Sequence, residues 1–138
     1  MSKSEFKTRL TRYINLLAEI KIEERRAEAF PPVEKTESIT QRRARASIQD
    51  TLGQLLEQEN QEYEALVKII NALPQVEQRQ VLLARYMDGQ SWPKIAQVIF
   101  GTRKDFQEKI QSYERRTYRI HGNALANANK ILLSQRRK

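Results

Sequence analysis

Apolar residues recur at helical spacing along most of this chain. Phe6, Leu10, Tyr13, Leu17 and Ile20 alternate steps of four and three, and Ile14 widens the stripe. Such alternation keeps one side of a helix apolar and is the seam of a coiled-coil-like element. It predicts a first helix from Ser4 or Glu5 to Ala29. Phe30-Pro31-Pro32 ends it, because proline cannot continue a helix and restricts the residue before it. Val33–Glu37 is the predicted connection. Ile48, Leu52, Leu55, Tyr63, Leu66, Ile70 and Leu73 predict a second helix, from near Ser38 or Thr40 to Ala72. Its middle is weakened by Glu59 and Glu62, which with Glu57 are expected on solvated or weakly packed positions. Gly53 costs up to ~1 kcal/mol relative to Ala. Arg42, Arg43 and Arg45 make its first turns basic. Residues 1–72 therefore predict an antiparallel helical hairpin. Its seams either pair only with each other or also make a homodimer.

A tighter arrangement follows over residues 73–138. Leu73-Pro74 starts a third helix, about Gln75–Met87, since proline in the first turn sacrifices no needed donor. Leu73, Val76, Val81, Leu82, Ala84 and Tyr86 are its predicted apolar face. Gly89 suits a left-handed position after the helix end. Ser91 is the predicted N-cap of a fourth helix, Trp92–Phe100, its hydroxyl accepting a free backbone N–H. Gly101 ends that helix. So short a connection implies a steep crossing, as in a helix-turn-helix. Thr102–Asp105 resembles a capping box with Asp in place of Glu. Phe106, Ile110, Tyr113, Thr117, Ile120, Ala124, Asn127 and Ile131 then keep the seam unbroken. One long fifth helix, about Arg103–Leu133, is predicted, with a basic tail at Arg136-Arg137-Lys138. A break near Ser112 is the alternative. The predicted fold class is all-α.

Composition narrows the function classes. The 138 residues carry a net charge of +8 and no cysteine, so disulfides and thiolate metal sites are excluded. No apolar run approaches the ~18 residues of a membrane span, and no leader is recognisable at Met1–Glu5. A soluble, cytoplasmic protein is expected. Residues 1–73 are neutral, residues 74–100 carry +1, and residues 101–138 carry +7. A positive field confined to one segment favours a polyanion, nucleic acid before an anionic membrane. Arg115, Arg116 and Arg119 cluster there, and Arg103, Lys104, Lys109 and Lys130 extend the charge. Arginine serves both phosphates and guanine edges.

Catalysis has no visible constellation: no glycine-rich phosphate loop, no metal-ligand cluster, no paired carboxylates flanked by a base. No enzyme and no cofactor is expected. His121, the only histidine, lacks neighbouring ligands for a metal and fits a phosphate contact or a packing role. Tyr113 lies on the seam and is expected in the core. Tyr118 lies beside it and serves either core or partner. Asn123 can read an adenine edge, whereas Asn127 and Asn129 suit surface positions. Trp92 is expected between helices, and Lys94 near a phosphate at a helix N-terminus.

Leu73-Pro74, Arg79, Leu82, Arg85-Tyr86, Gly89 and Ser91-Trp92-x-x-Ile95-Ala96 resemble region 4 of bacterial sigma factors. With Tyr118-Arg119-Ile120-His121-Gly122-x-Ala124-Leu125, the set is similar to phage-encoded sigma-region-4-like regulators of the ArpU and RinA late-transcription type. The resemblance covers about Leu73–Leu125. It implies a helix-turn-helix regulator of phage or prophage genes in a bacterial host, one that binds double-stranded DNA, reads sequence through its second helix and also touches host RNA polymerase. Carried over by position, the turn falls at Ser112-Tyr113 and the recognition face runs from Glu114-Arg115-Arg116 through Tyr118, Arg119 and Asn123. The expected DNA-binding set is Lys94, Lys109, Arg115, Arg116, Tyr118, Arg119, His121, Asn123 and Lys130. The chain departs from the family by an insert at about 101–112. In one continuous helix that insert would put the reading residues mid-helix. Two other classes fit the same elements: a DNA-packaging oligomer like a small terminase subunit, and a polymerase-binding adaptor.

Overall fold

The computed structural model describes residues 4–30 and 38–136. The predicted connection Val33–Glu37, with Pro31 and Pro32 before it, and the last two residues of the basic tail lie outside the described residues. The described secondary structure is helical throughout. It comprises α1 (Glu5–Ala29), α2 (Ile39–Asn71), α3 (Val76–Leu82) running into a π-helical turn (Leu83–Met87), α4 (Trp92–Phe100) and α5 (Ile110–Arg136). No helix among the described residues is long and apolar enough to cross a membrane. The chain divides into two compact units, Thr11–Tyr63 and Met1–Leu10 with Glu64–Lys138.

The Thr11–Tyr63 unit is a pair of antiparallel helical segments. Ser38 caps α2 with a full capping box: its hydroxyl accepts from the Gln41 N–H at 3.1 Å, and its own N–H donates to Gln41 Oε1 at 3.2 Å. The Tyr13 hydroxyl donates to Glu59 Oε1 at 2.7 Å across the seam, and the Tyr13 and Tyr63 rings lie 6.4 Å apart. At the other end the Arg45 guanidinium stands 5.4 Å from the Phe30 ring. Glu59 is thus not a solvated carboxylate. It is half-buried because a tyrosine on α1 needs an acceptor there. Among the described residues of this unit, Tyr13, Ile20 and Ile48 are the buried apolar ones.

The other unit is denser. Phe6, Leu10, Leu66, Ile70, Leu73, Val81, Leu82, Ile95, Ala96, Phe100, Ala124 and Ala128 are all essentially inaccessible. Arg79 donates to the Leu73 carbonyl at 2.6 Å, satisfying an acceptor that α2 leaves orphaned beside Pro74. Val76, predicted on the apolar face of the third helix, is 59% exposed, and Gln78 is buried instead. Gln78 accepts from Asn127 of α5 at 3.0 Å and donates to Gln75 at 3.1 Å. A polar side chain was invisible to a search for apolar spacing, yet its hydrogen bonds make its burial tolerable.

The third helix ends differently from a regular α-helix. The Asp88 N–H donates to Leu83 O, five residues back, widening the last turn to π geometry, and the Gln90 N–H closes over Gly89 onto Ala84 O, each at 2.9 Å. Gly89 follows with φ +66°, the left-handed conformation expected of it. Ser91 occupies the N-cap position of α4 with extended backbone, but its hydroxyl makes no capping bond. Pro93 in the first turn has no N–H to offer it.

The long fifth helix is not continuous. Residues 101–109 form successive turns, and α5 starts at Ile110. Gly101 closes α4 through its N–H on Gln97 O at 2.8 Å. A Cβ at that position would stand 2.2 Å from the same carbonyl, so the tight exit requires glycine. Arg103, Phe106 and Lys109 then close short turns onto Phe100, Arg103 and Phe106 at 3.0–3.2 Å. The seam spacing survived the break because Phe106 is turned inward onto Phe100 and Tyr113. Asp105 does not complete a capping box. It accepts the Tyr113 hydroxyl at 2.5 Å instead. Leu125, Ala128 and Leu132 widen the buried face of α5 beyond the predicted seam, while Ile110 is exposed.

Phe100 is fully buried at the centre of this arrangement. Phe100→Ala is expected to cost about 3–5 kcal/mol, measured by urea denaturation, because it opens a cavity under both α4 and α5.

Candidate functional site

The first turns of α5 carry the charge cluster. Arg115, Arg119, Gly122, Asn123, Ala126 and Lys130 are exposed and follow one another at helical spacing on one side. The opposite side, Tyr113, Thr117, Ala124, Leu125, Ala128 and Leu132, is buried. Thr117 returns its hydroxyl proton to Tyr113 O at 2.8 Å, so its polarity is absorbed within the helix. Since α5 begins at Ile110, Arg115, Arg116 and Arg119 lie within its first three turns. The insert is therefore a separate strut before the helix and does not push the arginines to mid-helix.

The strut also recruits a further arginine. Arg103 stands 5.6 Å and Arg116 5.2 Å from the Phe100 ring centroid. Two guanidinium groups thirteen positions apart in sequence are thus drawn to one buried ring. Phe100 stacks on Tyr113 at 5.1 Å, and Phe106 lies 5.7 Å from Tyr113. The Tyr113–Asp105 hydrogen bond holds the strut against α5. It lowers the Asp105 pKa and raises that of Tyr113. Lys109 lies 3.5 Å from Asp105, so its charge is partly countered by that carboxylate.

Of the expected DNA-binding residues, Arg115, Arg116, Arg119, Asn123 and Lys130 share α5 as exposed side chains. The side chains of Arg119, Asn123 and Lys130 make no hydrogen bond or ion pair with another described residue. Lys94 is exposed in the first turn of α4, and Lys109 ends the strut. Tyr118 is 49% exposed, but one side of its ring rests on Trp92 at a centroid distance of 4.8 Å.

Of the two roles expected of His121, a phosphate contact or packing, its surroundings favour packing. It is half-buried, with Nε2 2.7 Å from the Tyr86 hydroxyl and its ring edge-on to Trp92 at 4.8 Å. Its imidazole joins the π-helical turn to α5, which leaves packing, not phosphate contact, as its geometry. Burial first, then the positive charges of Arg85 and Lys7, lower its pKa below the ordinary 6.5. Burial also raises the Tyr86 pKa, against the opposing pull of Arg85. Arg85 itself lies 4.6 Å from the Trp92 ring and donates to Gln90 O at 3.2 Å. Nothing in its spacing marked Arg85 as a tie across the turn.

Asn127 and Asn129, expected on the surface, are structural as well. Asn129 Oδ1 accepts the Phe6 N–H at 3.1 Å, one of the donors that the start of α1 leaves without an intrahelical partner. Arg136 pairs with Glu5. Among the described residues no group of three or more His, Asp or Glu side chains could hold a metal ion.

No protein family, curated protein or solved structure matches this chain.

His121 gives a pH signature. A histidine whose folded pKa lies below its unfolded value adds stability that is complete above about pH 6.5. That stability is lost as pH falls through the folded pKa. Urea denaturation between pH 8 and 5 is expected to show this decline, and His121→Gln should flatten it. Titration of the single histidine resonance by NMR should give a midpoint below 6.5.

Proposed function

We propose that this protein is a sequence-specific, double-stranded-DNA-binding transcription regulator of phage or prophage genes. In this reading α3, the π-helical turn and α4 act as the scaffold of a sigma-region-4-like helix-turn-helix, and α5 is the reader. The observation that carries it is the exposed side of α5, where Arg115 and Arg119 lie in the first three turns and Asn123 and Lys130 follow further along the same side. Arginine and asparagine are the side chains that address guanine and adenine edges in the major groove. Gly122 and Ala126 between them leave the backbone unobstructed. The segment's +7 charge supplies the sequence-independent attraction to phosphates.

The strut has a role here. It sets Arg103 against the same Phe100 ring that Arg116 approaches from α5, and guanidinium groups there suit backbone phosphates, which position the helix without specifying sequence. Contact with RNA polymerase is part of the proposal through the family resemblance alone.

The test starts from genome-wide mapping of binding sites in the host, followed by anisotropy titration of the recovered duplex. Affinity is expected to fall steeply with salt, by about −0.9 in log K per log salt for each phosphate neutralised. Arg119→Ala should cost about 1–3 kcal/mol and relax specificity. Lys130→Ala should weaken all sequences alike and reduce the salt slope by about 1. Wild-type affinity in both variants would assign the reading side elsewhere. A large closed ring of subunits would favour DNA packaging, and polymerase binding without DNA would favour an adaptor.

A further inference from the structure

The junction between the strut and α5 forms an open concavity of about 430 Å³, lined by residues 107–112 together with Arg115. All of these side chains but Ile110 are polar. The turns that lead into α5 are already wound in the helical sense. The Lys109 N–H donates to Asp105 O at 3.0 Å, and the Tyr113 N–H donates to Lys109 O at 3.1 Å. Seven positions at about 100° each fall about 20° short of two full turns. Glu108 therefore lies on the side that carries Arg115, about 10 Å ahead of it at ~1.5 Å per residue. Gln111, Arg115, Arg119 and Asn123 follow at intervals of four and are all exposed. The concavity is thus the leading end of the reading side, extended onto the strut.

The charged groups here differ in how they are engaged. Lys109 lies 3.5 Å from Asp105. Arg115 donates through Nε to Gln111 O at 3.4 Å, and neither of its Nη groups bonds another described residue. Glu108 is exposed and makes no hydrogen bond or ion pair with another described residue. Yet Lys104 stands four positions before it and Lys109 follows it directly. A carboxylate is repelled by phosphates, so on a DNA-facing side it needs a hydrogen-bond donor. Ionised, it only accepts hydrogen bonds. In the major groove the edge that suits it is the cytosine N4 amino group, because the adenine amino group sits beside the N7 acceptor. Arg115 suits guanine O6 and N7. The separation of ~10 Å between the two side chains' positions spans about three base pairs at ~3.4 Å each.

We infer that Glu108 is a specificity-determining residue, accepting a hydrogen bond from a cytosine amino group in the major groove within about three base pairs of the guanine that Arg115 addresses. The strut is then part of the reading surface as well as a support for α5. The inference rests on the DNA-reading proposal.

Competition titrations with the full chain test it, on the recovered duplex with every base pair varied in turn at fixed salt. Wild type should prefer cytosine at one position by about tenfold or more. Glu108→Ala should bind all four bases there within about twofold, with the profile at other positions and the helical content by circular dichroism unchanged. Glu108→Gln should move the preference at that position from cytosine to adenine, because a glutamine amide pairs with adenine N6 and N7. Arg115→Ala should relax a guanine position nearby and leave the cytosine preference in place. A Glu108→Ala profile identical to that of wild type, with every sequence bound more tightly, is the behaviour of a solvated carboxylate. It overturns the inference while the DNA-reading proposal stands, and so does a Glu108→Gln protein that still selects cytosine. A wild type without any base preference overturns both.

Discussion

Three aromatic rings, Phe100, Phe106 and Tyr113, must be buried together, and the geometry of the charged helix depends on how this is done. Phe100 ends α4, Phe106 sits in the irregular strut, and Tyr113 lies one turn into α5. The chain can bring them into one cluster only by leaving the helix at Gly101 and re-entering it at Ile110. That detour sets where α5 begins and which of its sides is buried. The outward side is what remains, and it carries Arg115, Arg119, Asn123 and Lys130. The same cluster offers Phe100 to two guanidinium groups, so apolar burial also gathers the cations.

Polar groups complete what the rings begin. Gln78 with Asn127, Phe6 with Asn129, and Tyr86 with His121 are three hydrogen-bonded pairs that reach α5 from different elements. Each satisfies a donor or acceptor that would be costly to bury alone. Directional bonds at three points along one helix select its rotation more sharply than apolar contact does. They also separate the polar residues of α5 into two sets. Those that tie the helix down have partners within the fold, and those free to address a ligand are on the opposite side. His121 and Arg119, two positions apart, fall on different sides of that division.

The two compact units differ in how they are held. The Glu64–Lys138 unit, with Met1–Leu10, has a dense core and a polar network. The Thr11–Tyr63 unit has a narrow seam, one tyrosine–carboxylate bond and a cation over an aromatic ring. A narrow seam leaves Ile14, Ile22 and Leu56 about half exposed.

The all-helical class, the long N-terminal helix pair, the glycine turn at Gly89 and the end of α4 at Gly101 were legible in the sequence. Each rests on local physics: apolar periodicity, capping residues and the allowed conformations of glycine act within a few residues. The concentration of positive charge after Gly101 was legible too, since charge is additive along a chain. The break at 101–109 was not, because inward-turned Phe106 preserved the spacing of a continuous helix. The burial of Gln78 and the ties made by Asn127 and Asn129 were also beyond reach, and the choice of packing for His121 over a phosphate contact was left open. All depend on partners dozens of residues away. Sequence alone determined which segments would be helical and where the charge would lie. Only the tertiary structure decided which side of α5 faces out, because that side is set by long-range hydrogen bonds and by the shared burial of three rings.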